Sequence, residues 1–448
     1  GHRAGIALIA GAVLFFGITG ALWAFFLEEM LLLKGIAIVA GALVGMLILM
    51  EPLVGLCLMV FLVPVEEVHS FFGESVTPTK VVGVITFVSF LINVQLRRGM
   101  LRFDRQSRWM LAFAVWTALS FLWAKVKTSV PYLVLTVAQL ALFWVLIRGS
   151  VGTEEELSAV AISFIAGTLA GIFIAAILPR WELTPRLMYT TGNPNHLARD
   201  IVVSLILVLY YAPRLRSWGS LIAIGAGAVL LLGLILTQSR AGWLAAICCL
   251  PLVLLGHKRA TSAAAVALMA FLAVVLFAMG VLSAHLGVTE ATLEHRWESI
   301  FHTRVIRASR VDIWRAGIRL GSRYPILGVG AGGFVGSVPD VIETMPDFLG
   351  AHARIGAHNS FLCAFAELGL IGLILLIGIL WRCGSFIARH EGSLEKMVAW
   401  ALLVSALVQM MTMTAHYQKT IWFSLALSQV LLTKRRTTDD PLDGAPAL

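Results

Sequence analysis

Three side chains in this sequence have the chemistry to act on a charged, activated substrate: Arg240, Arg310 and His358. A guanidinium presents a planar fork of donors that matches phosphate oxygens, and an imidazole changes charge near neutral pH, so it can take a proton from a hydroxyl. Arg240 lies in Thr237-Gln-Ser-Arg-Ala-Gly, a corner that interrupts two apolar runs with almost no loop and sets the guanidinium at a membrane surface between two helix ends. A snorkelling arginine touching lipid headgroups would look the same. His358-Asn359 opens a further apolar run, where a histidine usually caps a helix or sits in a core.

Arg310 precedes an amphipathic stretch in which Ile313, Trp314, Gly317, Ile318 and Gly321 share a face. Arg315, Arg319 and Arg323 recur every fourth residue, a spacing that suits a solvated or headgroup-facing stripe, whereas Arg310 lies about 140° from Arg315 and nearly in line with Trp314. A second amphipathic stretch is predicted around Leu293, Trp297 and Ile300. The glycine-rich run Tyr-Pro-Ile-Leu-Gly328-Val-Gly330-Ala-Gly-Gly333-Phe allows sharp turns or close approach of backbone, but it lacks the lysine of a phosphate loop and implies no nucleotide. On an unbroken helix from His358, residues Phe365, Gly369 and Gly372 fall on the histidine's side, a face against which another helix could pack closely. Glu367 falls on the opposite side, about 13 Å deeper by helical rise, and needs a partner there.

The elements that must position these groups are membrane helices. The 448-residue chain is 59% hydrophobic and 13% charged, with a mean hydropathy of +0.89, too apolar for a soluble globule of this size. Apolar runs recur at 5–27, 35–50, 53–65, 81–95, 109–123, 132–147, 157–178, 197–212, 220–236, 241–255, 262–283, 360–380, 396–413 and 420–432. Period-2 alternation is missing, and lipid offers unpaired backbone groups no partner, so these runs are predicted to be helices. The fold class is therefore all-α: a polytopic bundle of twelve to fourteen transmembrane helices with one large external loop. Its divisions are a helix bundle over 1–283, the loop over 284–357, closing helices over 358–433 and a polar tail over 434–448. The first run is expected to be a retained helix rather than a signal peptide.

Arg97, Arg98, Arg102, Arg105 and Arg108, Arg214 and Arg216, Lys258 and Arg259, Arg382 and Arg389, and Lys434 to Arg436 mark short connections that the positive-inside rule makes cytoplasmic. Both termini then lie on that side, and the Thr237–Arg240 corner, the 179–196 loop and the 284–357 segment face the other. The net charge of +9 is mostly topology plus one basic loop, so nothing asks for a nucleic acid. Five cysteines without a CxxC pair point to packing rather than to a zinc site or a disulfide framework. The external loops show no clustered carboxylates or metal-ligand spacing, which predicts metal-independent chemistry and no cofactor.

The string HNSFLCAFAELGLIG from His358 to Gly372 fits H-N-x9-G-x-x-G and resembles the signature of the O-antigen ligase and polymerase superfamily. The Ser-Arg240-Ala-Gly corner, the run from Arg310-x-x-x-Trp314 to Pro325-x-x-Gly328-x-Gly330, and Gly192-Asn-Pro-Asn195-x-Leu-Ala resemble it too, in the family's order, over roughly 190–420. The nearest type is the lipopolysaccharide O-antigen ligase. That resemblance implies an inner-membrane glycosyltransferase with a periplasmic site, moving a glycan from undecaprenyl diphosphate to a sugar hydroxyl of lipid A-core. It implies that His358, Arg240 and Arg310 are catalytic and that Arg199 and Asn195 bind substrate; Arg315 and Asn359, near these residues in the sequence pattern, are expected to bind substrate as well. His358 would be the base and the two arginines a diphosphate clamp, in one displacement that inverts the anomeric carbon. An O-antigen polymerase or a protein O-oligosaccharyltransferase would use similar machinery. A flippase or transporter would instead place polar sites near the bilayer midplane.

Overall fold

The computed structural model describes residues 31–66, 78–96, 105–177, 187–189, 193–215, 218–257, 310–345, 356–392 and 394–434. The helices expected at 5–27 and 262–283, the amphipathic stretch around Trp297 and the polar tail lie outside the described residues, apart from Lys434. Among the described residues the structure is helical, without strands. The helices are α1 (Leu31–Met50), α2 (Pro52–Glu66), α3 (Pro78–Leu96), α4 (Arg105–Leu119), α5 (Val130–Ser150), α6 (Glu154–Ile177), α7 (Pro194–Tyr211), α8 (Trp218–Thr237) and α9 (Arg240–Gly256). They continue as α10 (Arg310–Arg323), the single turns α11 (Phe334–Ser337) and α12 (Pro339–Ile342), then α13 (Ser360–Arg389), α14 (Leu394–Thr412) and α15 (Lys419–Thr433).

Six of these, α5, α6, α7 with its 3-10 extension, α8, α13 and α14, are long and apolar enough to cross a membrane; α1, α2, α3 and α9 contain shorter apolar segments. This is the architecture of a multi-pass membrane protein. Polar side chains are costly against lipid, so helices that carry them belong inside a membrane bundle. Accordingly α7, with Arg199, Asp200 and Ser204, and α15, with Thr420, Ser424, Ser428 and Gln429, are central: α15 is buried without interruption from Thr420 to Leu431, and Phe423 stacks on Phe164 of α6 at 4.6 Å. Helix α8 is peripheral, with Trp218 79% and Ile222 72% exposed, as side chains facing lipid tails would be.

Lipid gives no net reward for bringing apolar side chains together, so close contact comes from small residues. A Cβ on Gly167 of α6 would lie 2.2 Å from the Phe61 carbonyl oxygen of α2, and one on Gly378 of α13 would lie 2.2 Å from the Trp109 ring of α4. One hydrophobic cluster runs from Ile48 to Leu431, through helices that precede and follow the 284–357 segment.

Candidate active site

The starts of α7, α9, α13 and α15 meet at one end of the bundle, held by short polar side chains. Asn193 caps α7 by accepting from the Asn195 amide at 3.0 Å, and Ser239 caps α9 by accepting from the Gly242 amide at 3.1 Å. Asn359 caps α13, its side-chain oxygen accepting from the Phe361 and Leu362 amides at 3.0 Å each. Such caps satisfy amides that a helix start leaves without partners.

The caps are also tied to one another. Ser239 donates its hydroxyl to the Asn195 side chain at 2.6 Å, and Thr420 of α15 donates to Asp200 of α7 at 2.6 Å. Ser360 donates to the Met413 carbonyl at 2.9 Å and accepts from the Ala415 amide at 2.8 Å, fixing the start of α13 to the turn between α14 and α15. Gln238 and His358 each immediately precede a cap residue, and both are left-handed, with φ of 51° and 48°. Backbone strain of this kind costs about 1–3 kcal/mol per residue and is retained where geometry matters.

Two guanidinium groups and two imidazoles also come together here. Arg240 begins α9 and Arg310 begins α10. The Arg310 guanidinium is held below its ordinary pKa by partial desolvation and then by the neighbouring Arg240 charge. The half-buried His358 imidazole is likewise held below its ordinary value of 6.5, first by burial, then by Arg310 and then by His196. Arg240, Arg310, His358 and His196 thus lie close enough to act on one another electrostatically beside several helix N-termini, whose partial positive charge adds to the field of the two guanidinium groups. Such a site favours an anion and keeps His358 neutral, the form in which it can accept a proton.

Of the residues expected from sequence, Arg240, Arg310 and His358 share this electrostatic group, and Asn195 joins it through Ser239. Asn359 uses its side-chain oxygen as the cap of α13. Arg199 is 1% exposed and ion-paired with Asp200 at 3.0 Å inside the bundle, where Asp200 also accepts from Tyr189 at 3.0 Å. Arg315 is 65% exposed and pairs with Asp312 at 3.6 Å, whereas Arg310 is the member of this helix that acts on His358. His196 was not expected; its only signal in the sequence is its place as the unspecified residue of Asn-Pro-Asn195-x-Leu-Ala.

The helix that presents His358 departs from the expected geometry. Helix α13 is broken at Gly369, with φ 67° and ψ −168°, so a regular count of faces from His358 fails beyond that point. What enters the break is the glycine-rich loop rather than another helix. The Leu370 amide donates to the Pro325 carbonyl at 2.8 Å, while the Val329 and Gly330 amides donate to the Ala366 and Glu367 carbonyls at 3.0 and 2.8 Å. The Leu368 carbonyl receives the Trp116 indole at 2.9 Å, so the loop and α4 replace bonds the helix gives up. A Cβ on Gly369 would lie 2.0 Å from the Ile326 carbonyl oxygen, and one on Gly328 2.4 Å from the Glu367 backbone.

Helix α10 packs above the break through its own glycines, Gly317 against Leu362 and Gly321 against Phe365. Its buried face is Ile313, Ala316, Gly317, Leu320 and Gly321; Ile318, expected on that face, is 54% exposed. Glu367, for which sequence offered no partner, accepts from the Phe334 amide at 3.2 Å and the Tyr417 hydroxyl at 3.4 Å. Sequence also missed that Cys363 and Glu367 meet His416 in the interior.

Residues 225–377 match a family model described as O-antigen ligase. That stretch contains Arg240, Arg310, the glycine-rich loop and His358, and it ends beyond the break in α13; Asn195, His196 and Arg199 precede it. No curated protein matches the chain.

Proposed function

We propose that this chain, a member of the O-antigen ligase and polymerase superfamily through residues 225–377 and hence a glycosyltransferase-like enzyme, is an O-antigen ligase. It transfers a glycan from undecaprenyl diphosphate to a sugar hydroxyl of lipid A-core. The observation that carries this reading is the convergence of Arg240, Arg310 and a neutral His358 at the capped helix starts.

In the reaction, the acceptor oxygen bonds to the anomeric carbon as the bond from that carbon to the diphosphate oxygen breaks. The electron pair stays with the diphosphate, and the hydroxyl proton passes to His358. Arg240 and Arg310 meet the charge that develops on the leaving group, where a fixed cation contributes most. A single displacement inverts the anomeric carbon, and the reacting atoms need no metal ion.

The opposite end of the bundle carries Arg148, Arg214 and Lys434, and the positive-inside rule makes that end cytoplasmic. The site then opens to the periplasm from a multi-pass protein of the inner membrane, with both termini cytoplasmic. The divisions at 283, 357 and 433 follow from this topology: a bundle, an external loop that delivers Arg310 and the glycine-rich run, and the closing helices. Purified protein given undecaprenyl-diphosphate glycan together with lipid A-core is expected to extend the core. Lengthened lipid-linked glycan without modified core would assign the polymerase reaction instead.

A further inference from the structure

Just inside the site, three residues with metal-binding side chains meet in the interior. The Cys363 sulfur, a Glu367 carboxylate oxygen and a His416 ring nitrogen all lie within 4.8 Å of one another, and all three residues are buried. Cys363 and Glu367 are one helical turn apart in α13, directly before the break at Gly369, whereas His416 comes from the turn between α14 and α15.

His416 supplies an independent observation. It is 1% exposed, and neither ring nitrogen has a hydrogen-bond partner. Leaving a buried polar group unmade is costly, and an imidazole in this position has an unused lone pair facing a thiol and a carboxylate. Its orientation is fixed by other means: its ring packs on Tyr417 at 3.9 Å and its carbonyl accepts from the Trp422 indole at 2.8 Å. Glu367 is likewise oriented by the Phe334 amide and the Tyr417 hydroxyl, the kind of outer contacts that hold a ligating carboxylate.

We propose that Cys363, Glu367 and His416 form a buried zinc site that pins the broken segment of α13 to the α14–α15 turn. The donor set mixes thiolate, imidazole and carboxylate, which suits Zn²⁺ better than a hard cation that takes oxygens alone or a copper(I) ion that takes soft sulfur. Tetrahedral bonds of about 2.0–2.3 Å hold their donors about 3.3–3.6 Å apart, so binding would draw these three together by up to about 1.5 Å from the 4.8 Å that bounds their spacing, with a water or the Tyr417 hydroxyl completing a tetrahedron. Charge also balances: a dication with one thiolate and one carboxylate sums to zero, the state that an apolar interior tolerates. On binding, the thiol proton leaves to water, and so does the carboxyl proton if one is held.

This site does not rest on the transfer reaction, and its test needs no donor or acceptor. Full-length protein purified in detergent through a tag without histidines is expected to retain about one zinc per chain by elemental analysis, lost in Cys363→Ala and His416→Leu and kept when the exposed Cys248 is replaced by alanine. Cobalt added to metal-stripped wild type should give a thiolate charge-transfer band. That second measurement decides the matter if the variants fail to fold. Wild type without zinc and without the cobalt band, or folded variants that keep stoichiometric zinc, would overturn the proposal.

Discussion

The two ends of the helix bundle treat charge in opposite ways. At the end where α7 and α15 finish, cations face anions or neutral acceptors: Arg214 pairs with Glu395 at 3.1 Å, Lys434 contacts Glu154 and the Tyr210 hydroxyl, and Arg148 contacts Gln429. At the end where those helices begin, the Arg240 charge lowers the pKa of Arg310, and Arg310 and His196 lower that of His358, beside further helix starts. The first arrangement lowers its own energy and explains itself as structure. The second brings like charges close enough to lower the pKa of Arg310 and of His358, the kind of perturbation that gathers at functional sites.

The sharpest way to break that contrast is to remove its cations. Arg310→Ala and Arg240→Ala are each expected to lower transfer by about 10²- to 10³-fold, the scale of losing one donor to a developing anion. Arg310→Lys should recover only part of the loss, because an ammonium cannot bind two phosphate oxygens in parallel. Single-turnover transfer with saturating acceptor would measure both, and rates within a few-fold of wild type would remove the clamp from the account.

Backbone geometry separates the reactive end from the lipid-facing surface nearly as strongly. Gly369→Ala forces a Cβ to within 2.0 Å of the Ile326 carbonyl at a positive φ, and should destabilise by about 3 kcal/mol or more. Gly225→Ala on α8 meets open space in a regular helix and should be neutral or stabilising by about 0.5–1 kcal/mol. Thermal unfolding in one detergent compares the pair, and equal shifts would contradict the role given to the break.

The pH dependence sharpens the electrostatic half. With the folded His358 pKa below 6.5, the base stays neutral as pH falls through 6.5, so kcat/KM should hold there and decline only at lower pH. Arg310→Gln should move that decline upward, though not fully, because burial is the larger cause. A decline that stays in place in Arg310→Gln would show that the guanidinium does not act on the base. The smallest effect belongs to the opposite end: Arg214→Ala breaks a pair whose side chains are 33% and 24% exposed, and should cost about 0–1 kcal/mol while transfer rates stay unchanged.

Much of this was legible in the sequence because its signals are local. Runs such as 197–212 and 420–432 announce helices by length and hydropathy, and α7 and α15 lie where they were expected. Helical angle sets Arg310 on a different face from Arg315, and in the structure Arg315 pairs with Asp312 while Arg310 lies close enough to lower the pKa of His358. What escaped depends on tertiary partners. Gly369 looks like any small residue on a helix face until the carbonyls around it are seen bonded to Val329, Gly330 and Trp116. His196 and His416 carry no spacing signal, since each meets its neighbours through helices distant in the chain. Arg199, expected from the sequence to bind substrate, is ion-paired with the adjacent Asp200 inside the bundle, a contact that the sequence pattern did not announce.

The most direct test of the central claim compares wild type with His358→Ala in transfer from undecaprenyl-diphosphate glycan to purified lipid A-core, with unfolding temperature and donor binding measured on the same samples. Product is expected from wild type, with a loss of about 10²- to 10⁴-fold in the variant and little change in fold or donor affinity. Undiminished transfer by folded His358→Ala would contradict the claim.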